Sequence, residues 1–201
     1  PNIKKIGLNI YKDINMYSQR AFTLLETIAC VLIFMIILLF VAHNMATFRK
    51  TQQAQLISKE LQHIVHSARG LALTKRRALT LCGSTDGYSC DQNWSQGALL
   101  FEDNNRNGQF DSDEFLVKYT PFALKNSKLI WKGFLGSFMR FESMGITSAS
   151  NGTFTYCQTD HDPRFSRQVI VSRGGRARLS QDKNGDGIHE DISGAAKINC
   201  P

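Results

Sequence analysis

Hydrophobic positions fall into three regimes along the chain. From Thr27 to Ala42 nearly every residue is apolar, and no charged side chain occurs between Glu26 and Arg49. An apolar run of this kind is about what a helix needs to cross a bilayer, roughly 20 residues. Next, Ile57, Leu61, Ile64, Val65, Ala68 and Leu71 recur at three- and four-residue intervals, the stripe of an amphipathic helix. The two regimes join into one helix that ends near Thr74 to Arg77, where Lys75, Arg76 and Arg77 oppose the carbonyl end of its dipole. Beyond Arg77 short apolar runs alternate with Gly, Asn, Ser and Asp. They predict strands at Ala78–Cys82, Gly97–Phe101, Phe115–Tyr119, Leu129–Trp131, Phe138–Phe141, Thr153–Cys157, Gln168–Ser172 and Arg176–Leu179. The predicted class is α+β, a long amino-terminal helix, membrane-spanning in its first half, packed on antiparallel sheet.

Charge orients this arrangement. Ahead of the apolar run stand Lys4, Lys5, Lys12 and Arg20 against Asp13, a basic leader that favours the cytoplasmic side and directs the chain beyond the run to be exported. The run is longer than the core of a cleaved secretory signal. The expected organisation is a leader over 1–21, a membrane helix over 22–42, its amphipathic continuation over 43–77 and an exported β-rich domain over 78–201. The expected location is the inner membrane, crossed once, with the domain in the periplasm. A carboxylate at the start of such a span, Glu26, is costly without a partner and marks function.

Of five cysteines, Cys30 lies in the apolar run as a small hydrophobe, while Cys82, Cys90, Cys157 and Cys200 are exported. An even number in an oxidising compartment predicts two disulfides. Three pairings are possible. Cys82 with Cys90 would close a Gly/Ser/Asp-rich loop and Cys157 with Cys200 would pin the tail, and this pairing is preferred.

Phe22-Thr23-Leu24-Leu25-Glu26 resembles the class III signal of type IV pilins and type II secretion pseudopilins. The resemblance implies that a prepilin peptidase cuts between Ala21 and Phe22 and methylates the new amino terminus. It also implies that Glu26 pairs with the amino terminus of a neighbouring subunit during assembly. Where that class usually has Gly before the cut, this chain has Ala21.

Later motifs narrow the resemblance: Ser67-Ala68-Arg69-Gly70, Trp94-x-x-Gly97, Phe101-x-Asp103-x-Asn105-x-x-Gly108 with Glu114, and Gly175-Arg176-x-Arg178. The series is similar to the GspH/FimT family of minor pilins and pseudopilins. In its FimT-like branch the Gly-Arg-x-Arg pattern is associated with DNA binding in natural transformation, which implies that role for Arg176 and Arg178.

The residues themselves bear on this. Arg164, Arg167, Arg173, Arg176 and Arg178 fall close together with no acidic residue among them. Gly174-Gly175 reads as a two-residue hairpin turn that would set Arg173 directly opposite Arg176. Opposed like charges destabilise a hairpin unless an anion lies between them. Guanidiniums suit bidentate phosphate contacts, and Phe165 is one candidate for stacking on a base. The competing reading is a solvated basic strand, or arginines paired with Asp160, Asp162 or the Asp182–Asp191 segment.

Asp103 to Glu114 fits the calcium-loop pattern, with Asp103, Asn105, Asn107, Asp111 and Glu114 at ligand positions and Gly108 at the sharp turn. Asp182 to Gly187 repeats its first half without the closing glutamate. Because the flanks read as strands, a hydrogen-bonded turn without metal is preferred and no cofactor is expected. No phosphate loop, nucleophile elbow or zinc signature occurs, so the chain reads as a non-enzyme. His63 and His66 read as helix-surface residues. The function expected is that of a minor type IV pilin binding the phosphate backbone of DNA during uptake, with other pilins, the prepilin peptidase and the inner membrane as partners. The alternatives are a type II secretion pseudopilin and a ligand-free pilin that primes assembly.

Overall fold

The computed structural model describes residues 22–134, 136–194 and 196–200, excepting the side chains of 40–44. The chain divides into two compact units, 1–44 and 45–201. The predicted leader, with Ala21, lies outside the described residues.

In the first unit the helix α1 (Leu24–Lys75) begins. Thr23 caps it: the Glu26 amide donates to Thr23 Oγ1 at 3.3 Å and to the Thr23 carbonyl at 3.0 Å. This is the serine/threonine-x-x-glutamate start of a helix, and it sets Glu26 in the first turn, where a carboxylate complements the dipole. Every described side chain from Phe22 to Leu39 is exposed, and most are large and apolar. Among the described residues no helix is long and apolar enough to cross a membrane. The described side chains of this run stop at Leu39, inside the expected span of 22–42.

In the second unit α1 turns one face inward. Ala54, Leu61, Ile64, Val65, Ala68 and Ala72 are buried, with Ile57 and Leu71 half-buried beside them. The helix ends at Lys75, and Arg76 takes a left-handed φ of 54° just after it, a conformation common where helices terminate. Lys75 Nζ and Arg77 Nη1 then converge on Glu102, at 2.7 and 3.0 Å.

Among the described residues the rest of the unit holds eight strands: β1 (Leu79–Gly83), β2 (Gly97–Glu102), β3 (Leu116–Pro121), β4 (Ser127–Gly133), β5 (Met139–Phe141), β6 (Gly152–Gln158), β7 (Arg167–Val171) and β8 (Ala177–Leu179). All eight predicted strands form, with no end shifted by more than two residues. They build two sheets, ordered β3-β2-β1-β5 and β4-β6-β7-β8, with every pairing antiparallel. Strand alternation sorts the side chains of the first sheet. Leu79, Leu81, Ala98 and Leu100 join the main core with α1 and the second sheet. Cys82, Leu99 and Phe101 turn the other way into a small second core with Phe110, Tyr119 and Phe138. Trp94 closes the main core against Phe154 in an edge contact at 4.8 Å between ring centroids. Both disulfides form in the preferred pairing, Cys82–Cys90 and Cys157–Cys200, while Cys30 is free and exposed.

Candidate functional site

The hairpin joining β7 to β8 carries the predicted arginine cluster, and its turn differs from expectation. Ser172 N donates to the Arg176 carbonyl at 3.0 Å and Gly175 N to the Ser172 carbonyl at 2.9 Å. The loop is therefore Arg173-Gly174-Gly175, and Ser172, not Arg173, stands opposite Arg176. A three-residue hairpin of this kind ends on a left-handed residue, and Gly175 supplies it with φ 72°. A Cβ on Gly175 would lie 2.3 Å from the Gly145 carbonyl oxygen, whereas one on Gly174 would meet only Ser172 Oγ, at 4.0 Å. The opposed-arginine argument for an anion thus falls away, because Arg173 sits in the turn and not across the strand from Arg176.

The tip is held from below. Arg69 Nε, on α1, donates to the Gly145 carbonyl at 3.0 Å, and Thr147 N donates to the Arg173 carbonyl at 2.9 Å. Inward from the tip, Ala177 is buried and Leu179 half-buried, so Arg176 and Arg178 share the outer face as alternation predicts. Arg173, Arg176 and Arg178 are all exposed, and among the described residues none of them makes an ion pair. The Arg173 guanidinium lies 5.9 Å from the ring centre of Phe134, which is 66% exposed. Beside Arg178 is a shallow depression also lined by Lys183, Glu190 and Asp191, so acidic groups flank the cluster on that side without pairing to it.

Two expected members leave the cluster. Arg164 is exposed but binds Asp162, with Nη2 to Oδ2 at 2.6 Å and Nε to Oδ1 at 3.0 Å. That guanidinium, helped by the Arg164 amide and opposed by burial, holds Asp162 below the usual carboxylate range. Arg167 is only 7% exposed, and its Nη1 donates to the carbonyls of Arg164 and Ser166. It sits at the start of β7 pointing in, where a phosphate backbone does not reach. Phe165 is 3% exposed, so it offers no stacking face, and the exposed aromatic by the arginines is Phe134. Nothing in the sequence signals Phe134, because its place beside Arg173 depends on how distant segments pack.

The acidic loop between β2 and β3 is braced by its own bonds. Asp103 Oδ2 accepts from Thr80 Oγ1 and Gly108 N, and Asp111 Oδ2 accepts from the side-chain amides of Asn105 and Asn107. Glu114 accepts from the amides of Asn104 and Asp111. Arg140 Nη1 lies 4.0 Å from Asp103 Oδ2 and supplies positive charge to that buried carboxylate. Among the described residues no group of three or more His, Cys, Asp or Glu side chains is arranged to hold a metal ion. The Asp182–Gly187 turn is similar in kind, with both Asp182 oxygens accepting from the amides of Gly185 and Gly187.

Comparison with known proteins places this architecture. The type IV minor pilin FimU of Pseudomonas aeruginosa, in one crystal form, superposes with a TM-score of 0.53 at 20% identity, over 67% of this chain and 92% of that one. A second crystal form of FimU matches with a TM-score of 0.49 at 20% identity, over 63% and 92%. At this identity the likeness is one of fold: a helix on antiparallel sheets, as in a type IV minor pilin. No curated protein matches the sequence. The family model described as type II transport protein GspH matches residues 58–175, from the amphipathic part of α1 to the glycine that ends the hairpin turn. With more than half of its length matched, the chain belongs to the GspH family.

Proposed function

We propose that this chain is a minor pilin that binds nucleic acid backbone through the β7–β8 hairpin and so assists DNA uptake. The observation that carries the reading is the set of three exposed guanidiniums, Arg173, Arg176 and Arg178, none in an ion pair among the described residues, on a tip fixed by Gly175. Guanidiniums without internal ion-pair partners are free to take phosphate oxygens in pairs. Their contacts reach backbone and not base edges, so binding is independent of sequence.

The rest of the reading rests on the amino-terminal motif. The apolar stretch from Phe22 onward anchors the chain in the inner membrane and then enters the filament. Prepilin peptidase cuts between Ala21 and Phe22, the new terminus is methylated, and Glu26 pairs with a neighbouring subunit. The GspH match favours a second reading, a pseudopilin of a type II secretion system with no nucleic acid ligand.

A gel shift with the full chain in detergent separates the two. Wild type is expected to retard DNA at low salt, and Arg176→Gln with Arg178→Gln to lose most of that retardation. No retardation, or retardation unchanged in the double variant, leaves the pseudopilin reading.

A further inference from the structure

The register of the second sheet explains why an exposed aromatic stands beside the arginine hairpin. Gly133, Gly152, Val171 and Ala177 pair in one row across β4, β6, β7 and β8, the last row before β4 ends and the hairpin turns. Beyond it the chain continues as Phe134 from β4 and as Ser172 to Arg176 from β7, so both lie at the same end of the sheet. Phe134 N donates to the Asn151 carbonyl at 2.9 Å, which extends the β4–β6 ladder by one bond and fixes the backbone that presents the ring. Thr147 fixes the tip, with Oγ1 donating to the Ser172 carbonyl at 3.1 Å in addition to its amide bond to Arg173.

The ring and the cation are thus both held from below and both open above. Phe134 belongs to neither core, and its ring is exposed with the Arg173 guanidinium 5.9 Å from its centre. A flat apolar face and a phosphate-binding fork side by side are the two groups that one nucleotide of a single strand engages, through its base and its phosphate. Lys132 adds charge nearby. It is exposed, and its row runs through Thr153 and Ile170 to Arg178, and residues paired across a sheet share a face. In a duplex the base faces are covered by their neighbours, and a side chain reaches them only by unstacking a step at a cost. In a single strand they are open. The arginines alone do not discriminate, since both forms offer phosphates; the ring does.

We propose that Phe134 is a stacking platform for an unpaired base, with Arg173 on the phosphate of the same strand, so that single-stranded DNA gains a contact here that duplex does not. The inference rests on the nucleic acid reading above and names the form of the ligand. Every base has a face to stack, so the contact keeps binding independent of sequence.

The test measures fluorescence anisotropy of labelled probes with the full chain in detergent. The probes are an oligothymidylate, a strand of equal length with abasic sites in place of bases, and a duplex of equal length. Phe134→Ala is expected to weaken oligothymidylate binding about tenfold. It should leave the abasic strand and the duplex within about twofold of wild type. Phe134→Trp should bind oligothymidylate at least as well as wild type, whereas Phe134→Leu, apolar but without a flat face, should behave as Phe134→Ala. The inference is overturned if Phe134→Ala leaves oligothymidylate binding unchanged, if it weakens all the probes alike, or if Phe134→Leu binds as wild type does. Duplex binding that needs Arg176 and Arg178, alongside oligothymidylate binding indifferent to Phe134→Ala, overturns this inference alone. Wild type that binds none of the probes overturns the nucleic acid reading with it.

Discussion

At position 175 two constraints coincide, a left-handed φ of 72° and a carbonyl oxygen 2.3 Å from where a Cβ would be. Gly175→Ala is therefore expected to destabilise the domain by about 2 kcal/mol, since strained backbone and forced displacement each cost on that order. Gly174→Ala, which meets only Ser172 Oγ at 4.0 Å, should cost less than about 1 kcal/mol. Urea denaturation of the pair measures the contrast, and equal losses would refute it. Glu102 is the second residue whose environment makes a definite claim. The hydrogen bond from Lys75 is the main force holding its carboxyl below the ordinary range, against the opposing cost of burial. A depressed carboxylate contributes stability above its unfolded value, about 4.3, and loses it as pH falls through the lower folded value. Glu102→Gln should then cost about 2 kcal/mol at neutral pH. At about pH 3 the gap should narrow, as the wild-type carboxyl also takes up its proton. A difference that stays constant with pH would show that Glu102 acts through packing and not charge.

At the level of elements, the two disulfides do different amounts. Cys157–Cys200 joins the end of β6 to the tail across 43 residues, while Cys82–Cys90 closes 8 residues beside β1. Chain entropy of the unfolded state scales with the loop closed, so the first should contribute roughly 4 kcal/mol and the second roughly 2.5. Paired Cys→Ala substitutions with chemical denaturation should rank them in that order. The reverse ranking would mean that the short bridge acts by holding the Trp94 segment in the core. Strand positions are legible in the sequence because alternation and turn residues are local signals. The division into two sheets is not, since it depends on pairing between β4 and β6 and between β1 and β5, partners not adjacent along the chain. The hairpin turn departs from its sequence expectation for a related reason. Gly-Gly permits several turns, and the three-residue form is the one compatible with the contacts of Gly175 to Gly145 and Arg69.

For the molecule as a whole, charge and apolar surface lead to separate predictions. Binding by phosphate contacts should weaken with salt at a log–log slope near −0.9 per neutralised phosphate on duplex DNA, so three arginines give a slope of about −3. A titration between low and physiological salt tests this, and a flat dependence would rule out backbone binding. Weak binding of this kind becomes useful when several copies share one filament. The described side chains from Phe22 to Leu39 are all exposed and largely apolar, more surface than a soluble monomer leaves uncovered. The full chain should accordingly remain with membranes through an alkaline wash. Release into the supernatant would contradict the anchor.

What the sequence determined alone is whatever rests on near neighbours: one long helix, eight strands and the amino-terminal motif. Its four cysteines beyond the apolar run predict two disulfides, which form, and the resemblance to the GspH family agrees with the family match over residues 58–175. Tertiary structure decided which arginines face solvent. Five arginines close together in sequence look equivalent, yet Asp162 neutralises Arg164, the domain buries Arg167, and Arg173, Arg176 and Arg178 stay exposed. The physical reason is that side-chain periodicity specifies a face, whereas desolvation and counter-charge depend on what segments far apart in the chain bring to that face.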